Sequence, residues 1–246
     1  MQTNPLRLCR AALCFSILIS FSWASAHVDV YGDKDGPVFG GELILVVAEP
    51  FGRKGYLVDL GDVVGRMDHW DTRRDYEMDL NEYGWNDFVT AIGGDKNVRR
   101  LRWSVVASTN HYGPNEDNAA YWGVETTVAR FEGWDAQAAI KQVLRLQGRL
   151  DTLIYSVNGQ LGELKDTQEK ISFWTTEQNS VFNPGEGAWA PDWGSDFPGE
   201  ASGELEQRMD MYRYGANAEQ TEGTWFRYPG YWQLTREGRL RYTVPK

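Results

Sequence analysis

His27 follows Ala24-Ser25-Ala26, small residues that suit a cleavage site, so processing there leaves a histidine at a new N-terminus. Such a histidine chelates copper through its amine and a ring nitrogen, and a second histidine completes a brace able to oxidise a polysaccharide. His69 and His111 are the remaining histidines and so the only partners for it. Asp33, Asp35, Gly36 and Glu42 fall on positions 3, 5, 6 and 12 of a calcium-binding loop, where oxygen ligands surround the ion and glycine allows the bend. Position 1 is Tyr31, which has no carboxylate, so a solvated acidic turn explains the same residues. Glu186, Asp192, Asp196, Glu200, Glu204 and Glu206 surround Trp193, and a pair of them would serve as acid and base for glycoside hydrolysis. In so acidic a chain, such clustering is expected without catalysis. Trp174, Trp189 and Trp193 have flat faces suited to the C–H surfaces of sugar rings, although tryptophan in a β-rich protein is more often core than platform.

Other catalytic signatures are missing. The sequence has no G-x-S-x-G, no H-E-x-x-H, no Walker A loop and no G-x-G-x-x-G. Both cysteines, Cys9 and Cys14, precede the cleavage site, so the processed domain has no disulfide and no thiolate nucleophile or ligand. No cofactor is expected, and no residue is singled out as catalytic.

The elements that position these residues begin after a leader. Arg7 and Arg10 precede the apolar run 11–21, which reads as a signal peptide spanning residues 1–26. That run is short of the roughly 18–20 residues that cross a bilayer, and no later run is as long and apolar, so no stable membrane span is expected after its removal. Loss of the leader takes Lys+Arg from 25 to 23 against 35 Asp+Glu, a net charge of −12. That balance argues against nucleic acid and anionic membrane surfaces. The remaining chain, 27–246, suits a single β-rich exported domain.

Residues 42–48 are apolar, β-branched and too few for a typical helix, which predicts a strand buried on both faces, with 56–60 returning beside it. Residues 68–86 have no clear period, while 85–92 suit a short helix. Residues 101–107 and 120–129 read as partner strands across the polar loop 110–118. Between Asp135 and Gly159, apolar residues recur at helical spacing, predicting one amphipathic helix packed on the sheet. Residues 172–203 read as an irregular loop, 205–214 as preparation for a last sheet segment, and 225–242 as its close. At the end, Trp232 and Leu234 alternate with polar residues before a turn at 235–238, and Leu240, Tyr242 and Val244 do so after it, predicting a β-hairpin with Gly238 at φ > 0.

Several of these segments, in order, resemble secreted bacterial proteins of the PEP-CTERM type, the exosortase substrates. Glu42-Leu43-Ile44-Leu45 with Tyr56-Leu57-Val58-Asp59-Leu60-Gly61 is similar to that group's opening. Arg102-Trp103-Ser104-Val105-Val106, Tyr121-Trp122-Gly123, Asn179-Ser180, Asp196-Phe197 and Met209-Asp210-Met211-Tyr212 follow. The closing hairpin, with Trp232-Gln233-Leu234-Thr235 and Gly238-Arg239-Leu240-Arg241-Tyr242-Thr243, is similar to the segment before the family's sorting tail. Val244-Pro245-Lys246 starts like that tail and then departs from it, without the Glu-Pro, the transmembrane stretch or the basic terminus. The resemblance implies an exported surface or extracellular-matrix protein and supplies no catalytic residues.

The expected fold is mostly β, with sandwich-like antiparallel sheets and one packed helix, and with α+β as the alternative. The expected protein is secreted, extracellular or periplasmic. Its expected role is non-enzymatic, at the cell surface or in a biofilm matrix, with polysaccharide or surface proteins as partners. The alternatives are a histidine-brace copper oxidase using His27 and a carbohydrate-binding module.

Overall fold

The computed structural model describes residues 43–49, 54–60, 71–111, 121–131, 148–150, 153, 172–176, 199–216 and 223–246. The strands are β1 (Ile44–Ala48), β2 (Gly55–Asp59), β3 (Tyr76–Asp79), β4 (Arg102–His111), β5 (Tyr121–Val128), β6 (Arg130–Phe131), β7 (Ser172–Thr175), β8 (Gly199–Glu200), β9 (Gly203–Glu204), β10 (Arg208–Ala216), β11 (Gly223–Leu234) and β12 (Arg239–Thr243). Between β3 and β4 lie a 3-10 helix (Leu80–Tyr83) and two short α-helices, α1 (Trp85–Ala91) and α2 (Asp95–Val98). The protein is mostly antiparallel β, as expected.

Ten strands form one sheet in the order β3-β12-β11-β10-β5-β4-β1-β2-β7, with β9 added beside β4, while β6 and β8 make a separate pair. One apolar cluster unites Leu45 and Val47 of β1 and Tyr56 and Val58 of β2 with Trp232 and Leu234 of β11 and Leu240 and Tyr242 of β12. Those strands stand far apart in the sheet order, so the sheet curls to bring their faces together. A single curled sheet thus supplies the two layers that a sandwich draws from two.

Aromatic residues fill the space where the ends of the sheet approach. Trp85, the first residue of α1, packs edge-on to Tyr56 of β2 at 5.4 Å between centroids, and its indole N–H donates to the Arg236 carbonyl, 3.1 Å away in the β11–β12 turn. The Tyr56 hydroxyl donates to the Tyr83 carbonyl at 3.1 Å, tying β2 to the segment that follows β3. Gly84 caps that segment at φ 83°, which glycine adopts without steric cost. Trp85 is therefore a plug between opposite ends of one sheet.

Burial differs along the sheet. β1 is buried at every position, as its continuous apolar run predicted, and β2 beside it is buried throughout as well. At the other end the pattern alternates: Met78, Leu240, Tyr242, Trp232 and Leu234 face the core, while Glu77 and Arg241 are exposed. The hairpin turn forms as expected, with Gly238 at φ 79° and Thr235 N–H donating to the Arg239 carbonyl at 2.9 Å. Residues 76–79, which show no period, nevertheless form an edge strand, because β12 pairs with them from Tyr242↔Tyr76 to Arg239↔Asp79. The expected irregular loop also contains strands β7, β8 and β9, and its first residues pair with β2. Of the long helix expected between Asp135 and Gly159, residues 148–150 are helical, Leu150 and Leu153 are fully buried, and nearly all the rest lies outside the described residues.

Candidate functional site

β11 carries a wide bulge opposite Met211: Asp210 pairs with Tyr231 and Tyr212 with Arg227, so that Tyr228, Pro229 and Gly230 fall between paired positions of that ladder. Pro229 has no N–H to donate, so a break in the ladder is where a strand tolerates it. Gly230 is required by a close approach, since a Cβ there would stand 2.4 Å from Cζ of Tyr242. The Tyr242 hydroxyl accepts the Gly230 N–H at 3.0 Å and donates to the Thr72 carbonyl at 3.0 Å. The bulge is thus fixed from β12, and its two extra residues leave the alternation of β11 in step on either side of it.

Before the bulge, Trp225 and Phe226 are consecutive in an extended strand and so project to opposite faces. Both are well exposed, at 47% and 56%. Trp225 is backed by Tyr212, ring centroids 6.0 Å apart, and Tyr212 stacks on Tyr214 at 5.9 Å. Beside them Arg227 and Asp210 form an ion pair at 2.8 Å, and the hydrogen bond to Asp210 raises the arginine's already high pKa. On the other face, Phe226 sits edge-on to Tyr228 at 5.2 Å, and the Tyr228 hydroxyl donates to the carboxylate of Glu125, which is fully buried. Burial first, and then the charge of Glu125, raise the Tyr228 pKa far above its ordinary value. The Arg213 guanidinium stands 3.9 Å from the same carboxylate and is half exposed. β11 therefore presents one exposed ring on each face, each next to an arginine and a carboxylate.

Arranged in this way, the side chains suit recognition of a polar ligand with flat apolar faces. Rings contact C–H surfaces, while the ion-paired groups exchange hydrogen bonds with hydroxyls. Among the described residues no group of three or more His, Cys, Asp or Glu side chains is placed to hold a metal ion.

Most of the residues singled out in the sequence fall outside the described residues. His27, His69, Asp33, Asp35, Glu42, Trp189 and Trp193 lie outside the described residues. His111 ends β4, its backbone opposite Tyr121. Trp174 is on β7, 37% exposed, with its ring 6.5 Å from Phe88 of α1 and its indole close to Gly84, so it packs at the rim of the core. Of the acidic residues around Trp193, Glu204 pairs with Arg102 at 2.9 Å. Glu206 adopts φ 70° and accepts the Arg236 N–H at 2.8 Å, so its carboxylate braces the hairpin turn.

Trp225, Phe226, Tyr228 and Glu125 were not anticipated, although a signal existed. Two adjacent large aromatics in a strand cannot both face one core, so the pair Trp225-Phe226 calls for a second apolar environment or an exposed ring. Among the described residues, no helix is long and apolar enough to cross a membrane. No protein-family model matches the chain, and no curated protein or solved structure is detectably similar to it.

Proposed function

We propose that this is an exported, non-enzymatic protein of the cell surface or extracellular matrix that binds polysaccharide through the aromatic residues of β11. The observation that carries this reading is the exposed pair Trp225 and Phe226, each on its own face and each beside an arginine–carboxylate pair. An exposed ring beside paired charges offers a flat apolar face with hydrogen-bonding groups at its edge, which is what a sugar ring requires. Export is supported by the leader 1–26, with its Arg7 and Arg10, its short apolar run and Ala24-Ser25-Ala26.

Affinity electrophoresis of the purified protein through gels containing soluble polysaccharides tests the binding. Retardation by at least one polymer, reversed by the free polymer, is the expected result. Mobility unchanged across a broad panel of neutral and acidic polymers would remove the proposal. N-terminal sequencing of the protein recovered outside the cytoplasm is expected to begin at His27.

A further inference from the structure

We infer that the outer face of β3, β12 and β11, with the Arg208 end of β10, is a docking surface for a carboxylate-bearing, uronate-type polysaccharide, centred on Arg208 and Tyr231. This inference rests on the polysaccharide reading above and names the class of polymer.

The register places Arg208, Gln233, Arg241 and Glu77 in one row across four strands, all on the face opposite the core. Neighbouring strands stand about 4.8 Å apart and same-face residues about 6.7 Å apart along a strand, so these side chains are closely spaced. Arg241 is held by Glu77 at 3.1 Å, Arg239 by Asp79 at 3.0 Å and Arg227 by Asp210 at 2.8 Å. Arg208 differs. Its guanidinium carbon lies 4.7 Å from the centroid of the Tyr231 ring, and no carboxylate among the described residues pairs with it.

Lying over the ring restrains the guanidinium without using the N–H donors at its edge. Those donors suit a carboxylate, which a guanidinium binds through two parallel hydrogen bonds. Charge points the same way. The chain has a net charge of −10, yet Arg208, Arg227, Arg239 and Arg241 gather on this face, and Asp210, Asp79 and Glu77 pair with the last three. A face that is close to neutral on an acidic protein repels an anionic partner less than the rest of the surface does. A protein partner would find few apolar side chains on this face from which to build a dry centre, whereas a sugar acid needs only donors and a ring. Trp225, on the same face of β11, extends the surface with an exposed aromatic.

The test compares polygalacturonate, its fully methyl-esterified form and a neutral glucan as ligands for the purified protein and for Arg208→Gln. The wild type is expected to prefer polygalacturonate to the ester, with affinity falling as salt rises. Arg208→Gln should weaken polygalacturonate binding about tenfold and leave glucan binding and the melting temperature unchanged. Arg208→Lys, which keeps the charge and loses the planar fork, should fall between the two. Equal binding of the acid and its ester would overturn this inference while leaving polysaccharide binding intact. Arg208→Gln bound to polygalacturonate like wild type would overturn the site. Failure to bind any of the three, in a protein that a broader panel also leaves unretarded, would remove both readings.

Discussion

A Cβ added to Gly238 would stand 2.4 Å from Cδ1 of Trp85. The glycine is in the β11–β12 turn and the tryptophan opens α1, so 153 residues of sequence separation end in direct contact. The same indole donates to the Arg236 carbonyl and lies against Tyr56 at the other end of the sheet. Turn, helix and β2 are therefore held by one side chain, and the turn must be glycine both for its φ of 79° and for the space that the ring occupies.

Gly238→Ala should accordingly cost about 2–4 kcal/mol, combining backbone strain at positive φ with overpacking against a rigid ring. Gly203→Ala is a useful contrast, because its Cβ would meet the thioether of Met209 at 2.3 Å, and a methionine side chain can move aside. It should cost about 1 kcal/mol. Urea denaturation of the two variants checks the order; equal losses would show that the Trp85 contact is not the tight one.

Tyr228 and Glu125 give a second prediction. Tyr228→Phe removes a hydroxyl that donates to a fully buried carboxylate, and should destabilise the fold by about 2–3 kcal/mol. Glu125→Gln keeps an acceptor for that hydroxyl and should cost less than Glu125→Ala, which leaves a cavity beside Tyr228 as well. A double-mutant cycle between the two positions measures their coupling, and additive losses would mean that the hydrogen bond contributes nothing.

Alkaline pH should weaken the fold. Burial pushes the Tyr242 hydroxyl from 10.0 up to about 12, an effect the Gly230 N–H partly opposes, and burial also raises Tyr56, Tyr214 and Tyr228. A hydroxyl whose folded pKa lies above its unfolded one gives stability that is complete below pH 10 and is lost as pH rises. For Tyr242 the loss runs from about pH 10 to about 12. Melting temperatures measured from pH 8 upward should hold level and then fall beyond pH 10, and Tyr242→Phe should show a shallower fall. A curve flat to pH 11.5 would contradict this.

Much of the fold was legible because its strands carry patterns that a single residue type cannot fake. The run Ile44-Leu45-Val46-Val47-Ala48 is apolar at every position, and the strand it forms is covered on both faces. The alternation through Trp232, Leu234, Leu240 and Tyr242 marks the hairpin arms and their dry face correctly. β3 was not legible, since Tyr76-Glu77-Met78-Asp79 becomes a strand only through β12, in part by pairing Glu77 and Asp79 with Arg241 and Arg239. The curl of the sheet was hidden for a similar reason, as Trp85 reads only as the start of a short helix until Tyr56 and Arg236 are placed around it. The aromatic site was hidden too, since Trp225-Phe226 shows that two adjacent rings must face opposite ways without telling which of them the rest of the fold leaves in water.

The most direct test of the functional account is the affinity of Trp225→Ala and Phe226→Ala for a retarding neutral glycan, with Trp174→Ala as the packing control. Loss of a stacked ring should weaken binding by about 1 kcal/mol or more, roughly fivefold to tenfold, in at least one of the two β11 variants, while Trp174→Ala lowers the melting temperature and leaves the affinity of the folded protein unchanged. Wild-type affinity in both β11 variants would contradict the account.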